Sequence, residues 1–242
     1  SDITALSQLT DTVYRLSDGE IAITDKNGVS FFDENGKSIE KKPKKIDFNT
    51  EAAEKGKFEH FMLKEIYEQP SVVRDTVLSL VHNGKIHLQN ILSPEEVKNI
   101  RRIYLVACGS AYHAALTGKY VIEQLSGIPS EAIIASEFRY SAPPVDSETL
   151  TVFISQSGET ADTLASLRLS KNLGAKVISV INSRGSTMEA ESSGVIYTRA
   201  GPEIAVATTK AYSAQLAVMY LLGIYLSQAT GRTDEIYAEM LL

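Results

Sequence analysis

LTVFISQSGET (residues 150–160) decides the fold of this chain. The apolar run from Leu150 to Ile154 is typical of a buried strand, and it breaks into hydroxyl side chains and a glycine before a helix predicted from Thr160 to Asn172. The start of such a helix offers unpaired N–H groups and the positive end of its dipole to an anion. The stretch therefore predicts a strand–loop–helix unit with an anion site at the loop.

The side chains of this loop favour a phosphate monoester. Ser155, Ser157 and Thr160 supply hydroxyl donors, and Gly158 leaves the backbone open to close approach. The loop has no lysine, so the P-loop pattern G-x-x-x-x-G-K-[ST] is absent. Hydroxyls and amides without a fixed cation suit a small phosphorylated metabolite better than a magnesium-bound triphosphate. The alternative is that Ser157 or Thr160 only caps the helix, as such residues often do.

Strands and helices alternate on both sides of this loop. Strands are predicted at 103–107, 131–135, 150–154, 176–181 and 194–198, and helices at 111–126, 160–173, 186–192 and 208–229. Short apolar strands separated by helices are typical of a parallel sheet that is covered on both faces. The fold class is therefore α/β: a three-layer α/β/α sandwich with a five-stranded, flavodoxin-like parallel sheet.

In a flavodoxin-like sheet, ligands bind between the first and third strands, where the strand order reverses. The loops after those strands are Cys108-Gly109-Ser110 and 155–160, and both open helices. The alternative for the first loop is that Ser110 caps its helix and Cys108 is a small buried hydrophobe. In a third loop, 201–210, the residues Thr208-Thr209 are predicted caps, and Glu203 with Lys210 is a weak candidate for an acid/base pair.

The chain before the sheet divides into three parts. Residues 1–40 contain short alternating segments joined by Asn27-Gly28 and Asn35-Gly36, which predicts antiparallel hairpins. Residues 41–57 form a charged linker. Two helices follow, at about 58–69 and 71–81, separated at Pro70 and ending near Asn83-Gly84. The predicted domains are the β segment 1–40, the linker 41–57 and the α/β domain 58–242 with its helical lead-in.

Composition excludes several classes of protein. The net charge of −6 argues against binding to nucleic acid. The one cysteine, Cys108, excludes an internal disulfide and favours a reducing compartment. No apolar run reaches the roughly 18 residues of a membrane span and no signal peptide is evident, which predicts a cytoplasmic protein without a membrane partner. The histidines lack metal-ligand spacing, so neither a metal nor a cofactor is expected.

Several stretches resemble the sugar isomerase (SIS) domain: Cys108-Gly109-Ser110 and residues 155–163. More specifically, KEIYEQP (64–70), ASEFRY (135–140) and residues 201–210 are similar to the glutamine–fructose-6-phosphate aminotransferase (isomerising) family, the glucosamine-6-phosphate synthases. The similarity runs from about Asp11 to the C-terminus. LSDGE (16–20) resembles the end of that family's N-terminal glutaminase domain, which accounts for the hairpins of residues 1–40.

The resemblance implies a substrate site for a sugar phosphate. Ser155, Gln156, Ser157 and Thr160 would hold the phosphate with help from Ser110. Val206 and Thr208 would line the sugar, and Cys108 and Gly109 complete the implied substrate-binding set. Family members often have a hydroxyl residue where this chain has Ala111, so one contact would differ.

That family makes glucosamine 6-phosphate from fructose 6-phosphate and glutamine. Its glutaminase half uses an N-terminal cysteine, whereas this chain starts with Ser1 and has no cysteine before Cys108. Its isomerase half takes a lysine, a glutamate and a histidine from a second SIS domain. The resemblance therefore implies an internal fragment that contains no catalytic residues and is inactive alone. It would bind fructose 6-phosphate or glucosamine 6-phosphate and form a homodimer through its SIS domain.

Two other functions remain open. A non-catalytic SIS-type sensor or regulatory module would read a phosphosugar, although the glutaminase-like segment argues against it and no DNA-binding helix-turn-helix is evident. A stand-alone phosphosugar isomerase would need a Glu/His pair near the phosphate loop. Glu203 or Glu159 with His113 is the candidate set for that activity.

Overall fold

The computed structural model describes residues 10, 12–14, 16–26, 28–45 and 55–232. The chain separates into two compact units, Ser1–Glu54 and Lys55–Leu242. Asn27, of the first predicted turn, and residues 46–54, of the predicted linker, lie outside the described residues.

The first unit is antiparallel β structure. Its strands are β1 Thr12–Val13, β2 Ile21–Asp25, β3 Gly28–Phe32, β4 Ser38–Ile39 and β5 Lys44–Lys45. β2, β3 and β4 form one sheet, and β1 pairs with β5. The turn after β3 is fixed by the Asp33 carboxylate, which accepts from the N–H groups of Asn35 and Lys37 at 2.9 Å each. The partner of β1, β5, thus lies within the stretch 41–57 that was predicted to be a linker.

The second unit contains the parallel sheet. Its strands are β6 Val81–His82, β7 Lys85–Ile86, β8 Arg102–Ala107, β9 Ser130–Ile134, β10 Thr149–Ser155, β11 Lys176–Ile181 and β12 Gly194–Tyr197. The last five form one parallel sheet in the order β12-β11-β10-β8-β9. This order confirms the predicted flavodoxin-like sheet, with β8 and β10 adjacent where the order reverses.

Helices cover both faces of this sheet. They are α1 Phe61–Leu80, α2 Pro94–Asn99, α3 Ser110–Ser126, α4 Ala135–Phe138, α5 Ala161–Asn172, α6 Thr187–Glu191 and α7 Lys210–Ala229. Alternate residues of β8 face opposite cores: Leu105 packs with residues of α3 and α7, whereas Val106 packs with Phe138 of α4 and Leu167 of α5. The three-layer α/β/α arrangement is therefore confirmed. None of the helices in the described ranges combines the length and apolar character needed to cross a bilayer.

The two helices predicted around Pro70 are one continuous helix, α1. Proline has no N–H to donate to the carbonyl four residues earlier, here Ile66. The side-chain amide of Gln69 donates to that carbonyl oxygen instead, at 3.2 Å. The carbonyl that proline leaves unpaired is thus satisfied by its neighbour, and the helix continues past the expected break.

Asn83-Gly84 does not end a helix directly but turns the hairpin between β6 and β7. Both residues have positive φ, 53° and 69°, which suits the two-residue turn that Asn-Gly favours. α2 was missed although its sequence carries a start signal. Its N-cap Ser93 and Glu96 form a reciprocal capping box, with Pro94 at the first turn.

Glu96 also ties α2 to the sheet, which gives a pH-dependent prediction. Its carboxylate accepts from Lys176 Nζ at 2.6 Å and from the Ser93 N–H at 2.7 Å. These bonds, the Lys176 bond foremost, lower the pKa of Glu96. The stabilisation is therefore complete above the ordinary carboxyl pKa of about 4.3 and is lost as the pH falls through the lowered value in the folded state.

We expect Glu96→Gln to reduce the free energy of unfolding at pH 7 by about 0.5–1 kcal/mol, a modest loss because the side chain is 43% exposed to screening solvent. The difference from the wild type should shrink toward zero as the pH falls below about 4. Urea denaturation at pH 7 and pH 3 measures it. An equal difference at both pH values would contradict the assignment to the charged carboxylate.

Candidate functional site

A cavity of about 390 Å³ lies beyond the carboxyl ends of β8 and β10. Three segments line it: the loop after β8 with the start of α3, the loop after β10, and the loop before α7. Eight of the nine predicted substrate-binding residues are among its lining residues: Cys108, Ser110, Ser155, Gln156, Ser157, Thr160, Val206 and Thr208. Gly109, the ninth, is not, and it serves as the N-cap residue of α3.

The loop after β10 is fixed by its own hydroxyl groups. Ser155 Oγ accepts from the Gly158 N–H at 3.0 Å and lies 3.3 Å from Thr160 Oγ1. Ser157 Oγ accepts from the Glu159 N–H at 3.2 Å. The carbonyl of Gln156 accepts from the loop after β11, from the Asn182 N–H at 3.1 Å. The loop is therefore held in one shape with three hydroxyl side chains on the cavity wall.

Gly158 is required where this loop turns. Its φ of +70° lies in the left-handed region that favours glycine, and a Cβ there would lie 2.3 Å from Ser186 Oγ. Ser186 is buried and is the N-cap residue of α6. The close approach of the two backbones is thus possible only without a side chain at position 158.

Two helices begin at the cavity without a side-chain cap. Thr160 is the N-cap residue of α5 and Gly109 that of α3, and neither supplies a side-chain cap bond. The alternative that Thr160 merely caps its helix is therefore wrong. Two N-termini with amides that no cap residue satisfies, beside three hydroxyl groups, make an environment suited to a phosphate dianion.

The third wall of the cavity is the loop before α7, and Glu203 fixes its end. Its Oε1 accepts from the N–H groups of Thr209 and Ala211 at 2.9 and 3.2 Å, and its Oε2 accepts from Thr208 Oγ1 at 2.7 Å. The prediction that Thr208-Thr209 cap α7 is wrong, because the Thr209 hydroxyl makes no cap bond. A carboxylate is a stronger acceptor than a hydroxyl and is favoured at the positive end of a helix.

Glu203 and Lys210 do not form an acid/base pair. Lys210 is buried, and its Nζ donates to Glu68 Oε2 of α1 at 2.6 Å. The set considered for a stand-alone isomerase is also not assembled: of Glu203, Glu159 and His113, only Glu203 lines the cavity. Glu159 instead accepts from the Thr187 N–H at 2.8 Å.

Some lining residues were missed from the sequence. Gln215 of α7 lines the cavity and is 3% exposed. The one sequence feature that could have indicated its role is that it is a polar residue within an apolar helix. Ala205 and Ala207 also line the cavity, and small apolar residues in a loop carry no sequence signal of a binding role. Within the described ranges, no group of three or more His, Cys, Asp or Glu side chains could hold a metal ion.

Known proteins resemble this chain along its length. It is 51% identical over 248 aligned residues to the glutamine–fructose-6-phosphate aminotransferase (isomerising) of Clostridium tetani, covering 100% of this chain and 41% of that protein. The corresponding enzyme of Clostridium acetobutylicum is 50% identical, covering 94% of this chain and 38% of that protein. The chain thus spans about two fifths of the length of these curated relatives.

A solved structure agrees with these matches. The C-terminal domain of the glucosamine–fructose-6-phosphate aminotransferase from Francisella tularensis superposes with a TM-score of 0.74 at 38% identity, covering 77% of this chain and 53% of that one. The SIS domain family matches residues 96–225, which include every strand of the parallel sheet and all three walls of the cavity. This chain therefore belongs to the SIS domain family.

Proposed function

We propose that this chain is the sugar-phosphate-binding part of a glutamine–fructose-6-phosphate aminotransferase (isomerising), which makes glucosamine 6-phosphate from fructose 6-phosphate and glutamine. One observation carries the proposal: hydroxyl groups and two uncapped helix N-termini converge on one cavity at the switch point of the sheet. The relatives that bear this name at about half identity, over nearly the whole chain, support it.

In this proposal the phosphate lies against Ser155, Gln156, Ser157 and Thr160, with help from Ser110 of α3, which also lines the cavity. No lysine or arginine is among the described lining residues, so hydroxyl and backbone N–H donors would balance the phosphate charge. The sugar extends toward the loop before α7, where Val206 and Thr208 lie. Ala111 offers no hydroxyl at its position on the wall.

We infer that this chain binds the sugar phosphate without turning it over. Glu203 is the one charged side chain among the described residues that line the cavity, and its hydrogen bonds at the start of α7 occupy both of its oxygens. The aminotransferase similarity covers the whole chain, including residues before the SIS match, which favours an enzyme part over a phosphosugar sensor.

Two further expectations belong to this proposal. A homodimer through the SIS domain is supported by exposed apolar side chains within residues 96–225, among them Tyr120, Leu173 and Tyr220. A cytoplasmic location is supported by the single cysteine, Cys108, in the printed sequence.

Calorimetric titration with fructose 6-phosphate and glucosamine 6-phosphate tests the binding site. We expect the wild-type chain to bind, and the double variant Ser155→Ala/Thr160→Ala to bind at least about tenfold more weakly. Each hydroxyl removed costs roughly 1 kcal/mol of hydrogen bonding, and 1.4 kcal/mol is tenfold in Kd.

Thr117→Ala is the matched control, because this hydroxyl bonds only to the carbonyl of His113 on α3, at 3.3 Å, and does not line the cavity. It should bind like the wild type. Equal affinity of the wild type and the double variant would show that the phosphate does not bind at this loop. If the wild-type chain gives no binding heat with either ligand, the result would contradict the proposed sugar-phosphate binding.

A further inference from the structure

Glu65 is a buried carboxylate that lies outside the cavity lining. It belongs to α1 and is 2% exposed. Its Oε1 accepts from the backbone N–H groups of Ile204 and Ala205, at 2.7 and 3.2 Å. Its Oε2 is buried without a hydrogen-bond partner. The side chain therefore makes contact with the loop before α7 through one oxygen.

The loop that Glu65 holds has little other support in its middle. In residues 55–232, no backbone–backbone hydrogen bond involves residues 204–207. Its ends are fixed separately: Asn182 Nδ2 donates to the Gly201 carbonyl at 2.7 Å, and Glu203 caps α7. The residues between these ends include Ala205, Val206 and Ala207, which form the third wall of the cavity.

α1 is itself anchored to the start of α7. Glu68 accepts from Lys210 Nζ, and Ser213 Oγ donates to Gln69 Oε1 at 2.6 Å. Glu65 lies one turn before these residues on the same helix. The wall is thus held from a helix whose own position is fixed by two further polar contacts.

Stability alone does not account for a carboxylate at this position. A buried charged group with an unpaired oxygen costs free energy, and apolar residues that replace buried polar groups are often neutral or stabilising. Two amides that converge on one carboxylate oxygen make charge-assisted bonds that fix a backbone shape. The feature that Glu65 supplies is therefore the conformation of residues 204 and 205.

We infer that Glu65 is a positioning residue that sets the sugar-facing wall of the cavity, so that recognition of the sugar depends on α1 while recognition of the phosphate does not. This inference rests on the proposed function, in which the cavity takes a sugar phosphate. The amides that Glu65 holds belong to residues 204 and 205, whereas the phosphate loop, 155–160, is fixed by its own hydroxyl groups.

The test compares Glu65→Ala with Glu65→Gln, which keeps an acceptor oxygen. Ser79→Ala is the matched control on the same helix, because its hydroxyl donates within α1, to the Thr76 carbonyl at 2.8 Å, and not to the loop or to α7. Hydrogen–deuterium exchange of the free chain follows the amides of residues 203–209 and 155–160. Titration with fructose 6-phosphate and with inorganic phosphate follows sugar and phosphate recognition separately.

We expect Glu65→Ala to speed exchange of the Ile204 and Ala205 amides at least about tenfold and to leave 155–160 unchanged. It should weaken fructose 6-phosphate binding about tenfold, the loss of roughly one charge-assisted bond. Inorganic phosphate should bind Glu65→Ala within about twofold of the wild type. Glu65→Gln and Ser79→Ala should stay near the wild type in every readout.

Unchanged exchange at 203–209 would overturn the inference, as would equal weakening of both ligands. If Glu65→Ala does not fold, Glu65→Gln decides: near-normal exchange and binding support the acceptor role, and loss of both ligands together refutes it. A wild-type chain that binds neither ligand would refute the proposed function, and the exchange rates would then decide alone whether Glu65 fixes the wall.

Discussion

Replacing Gly158 by alanine should abolish sugar-phosphate binding and lower the free energy of unfolding by about 3 kcal/mol. A Cβ at this position would lie 2.3 Å from Ser186 Oγ and 2.7 Å from Ser186 Cβ. Rotation of the Ser186 side chain relieves the first contact but not the second, so the backbone must move. That movement displaces the loop whose N–H and hydroxyl groups line the cavity, and the left-handed φ of +70° adds strain.

Guanidinium denaturation and calorimetric titration measure the two effects. Gly174→Ala is the matched control: its φ is +89° but no atom lies within 4 Å of the added Cβ, so it should cost about 1 kcal/mol and leave binding intact. Adding Ser186→Gly to Gly158→Ala should restore part of the stability because it removes both clashing atoms. A Gly158→Ala variant that binds normally would show that the loop can adapt, contrary to this account.

Glu68→Ala should lower the free energy of unfolding by about 2–3 kcal/mol, less than the roughly 3–5 kcal/mol of a fully buried ion pair because the Glu68 side chain is 30% exposed. Its partner Lys210 has a side chain only 4% exposed, and the two charged atoms lie 2.6 Å apart. Without Glu68, the ammonium group is left buried at the first turn of α7, near the positive end of the helix dipole, where a cation is disfavoured.

The double variant Glu68→Ala/Lys210→Met separates charge from packing. Methionine fills much of the volume of lysine without a charge, so the double variant should recover most of the stability that Glu68→Ala loses. Chemical denaturation of the wild type, both single variants and the double variant gives the four free energies of unfolding that this double-mutant cycle requires. A double variant as unstable as Glu68→Ala would assign the loss to packing of Glu68 instead of an unpaired Lys210.

The sheet and the phosphate loop could be predicted because their signals are local. Each apolar run is short and is followed by a stretch of polar or small residues, and helical patterns separate the runs. The strand order and the edge that carries the site then follow from general rules. The nine predicted site residues all lie at that edge: Ser155 at the end of β10, and the others in the loops or at the helix starts beside it. Their roles toward a ligand stay predictions.

The remaining features depend on contacts that local patterns do not contain. Pro70 usually ends a helix, and α1 continues because a neighbouring glutamine satisfies the freed carbonyl. Thr208-Thr209 has the sequence of a helix cap, yet it is the carboxylate of Glu203 that accepts from the N–H groups of Thr209 and Ala211 at the start of α7. Glu65 lies in an amphipathic helix like many surface glutamates, and only the folded chain brings its carboxylate to the loop before α7.

The attachment of α1 to α7 has a consequence for the order in which the molecule is assembled. Three side-chain contacts of α1, one to the loop before α7 and two to α7 itself, join residues 139, 142 and 144 positions apart in the chain. At a synthesis rate of about 5–20 residues per second, α1 leaves the ribosome roughly 7–28 seconds before its partners. During that interval Glu65, Glu68 and Gln69 remain hydrated, and the strands of the sheet can already pair. We therefore expect the phosphate loop to form during translation and the opposite wall to close last, once α7 has emerged.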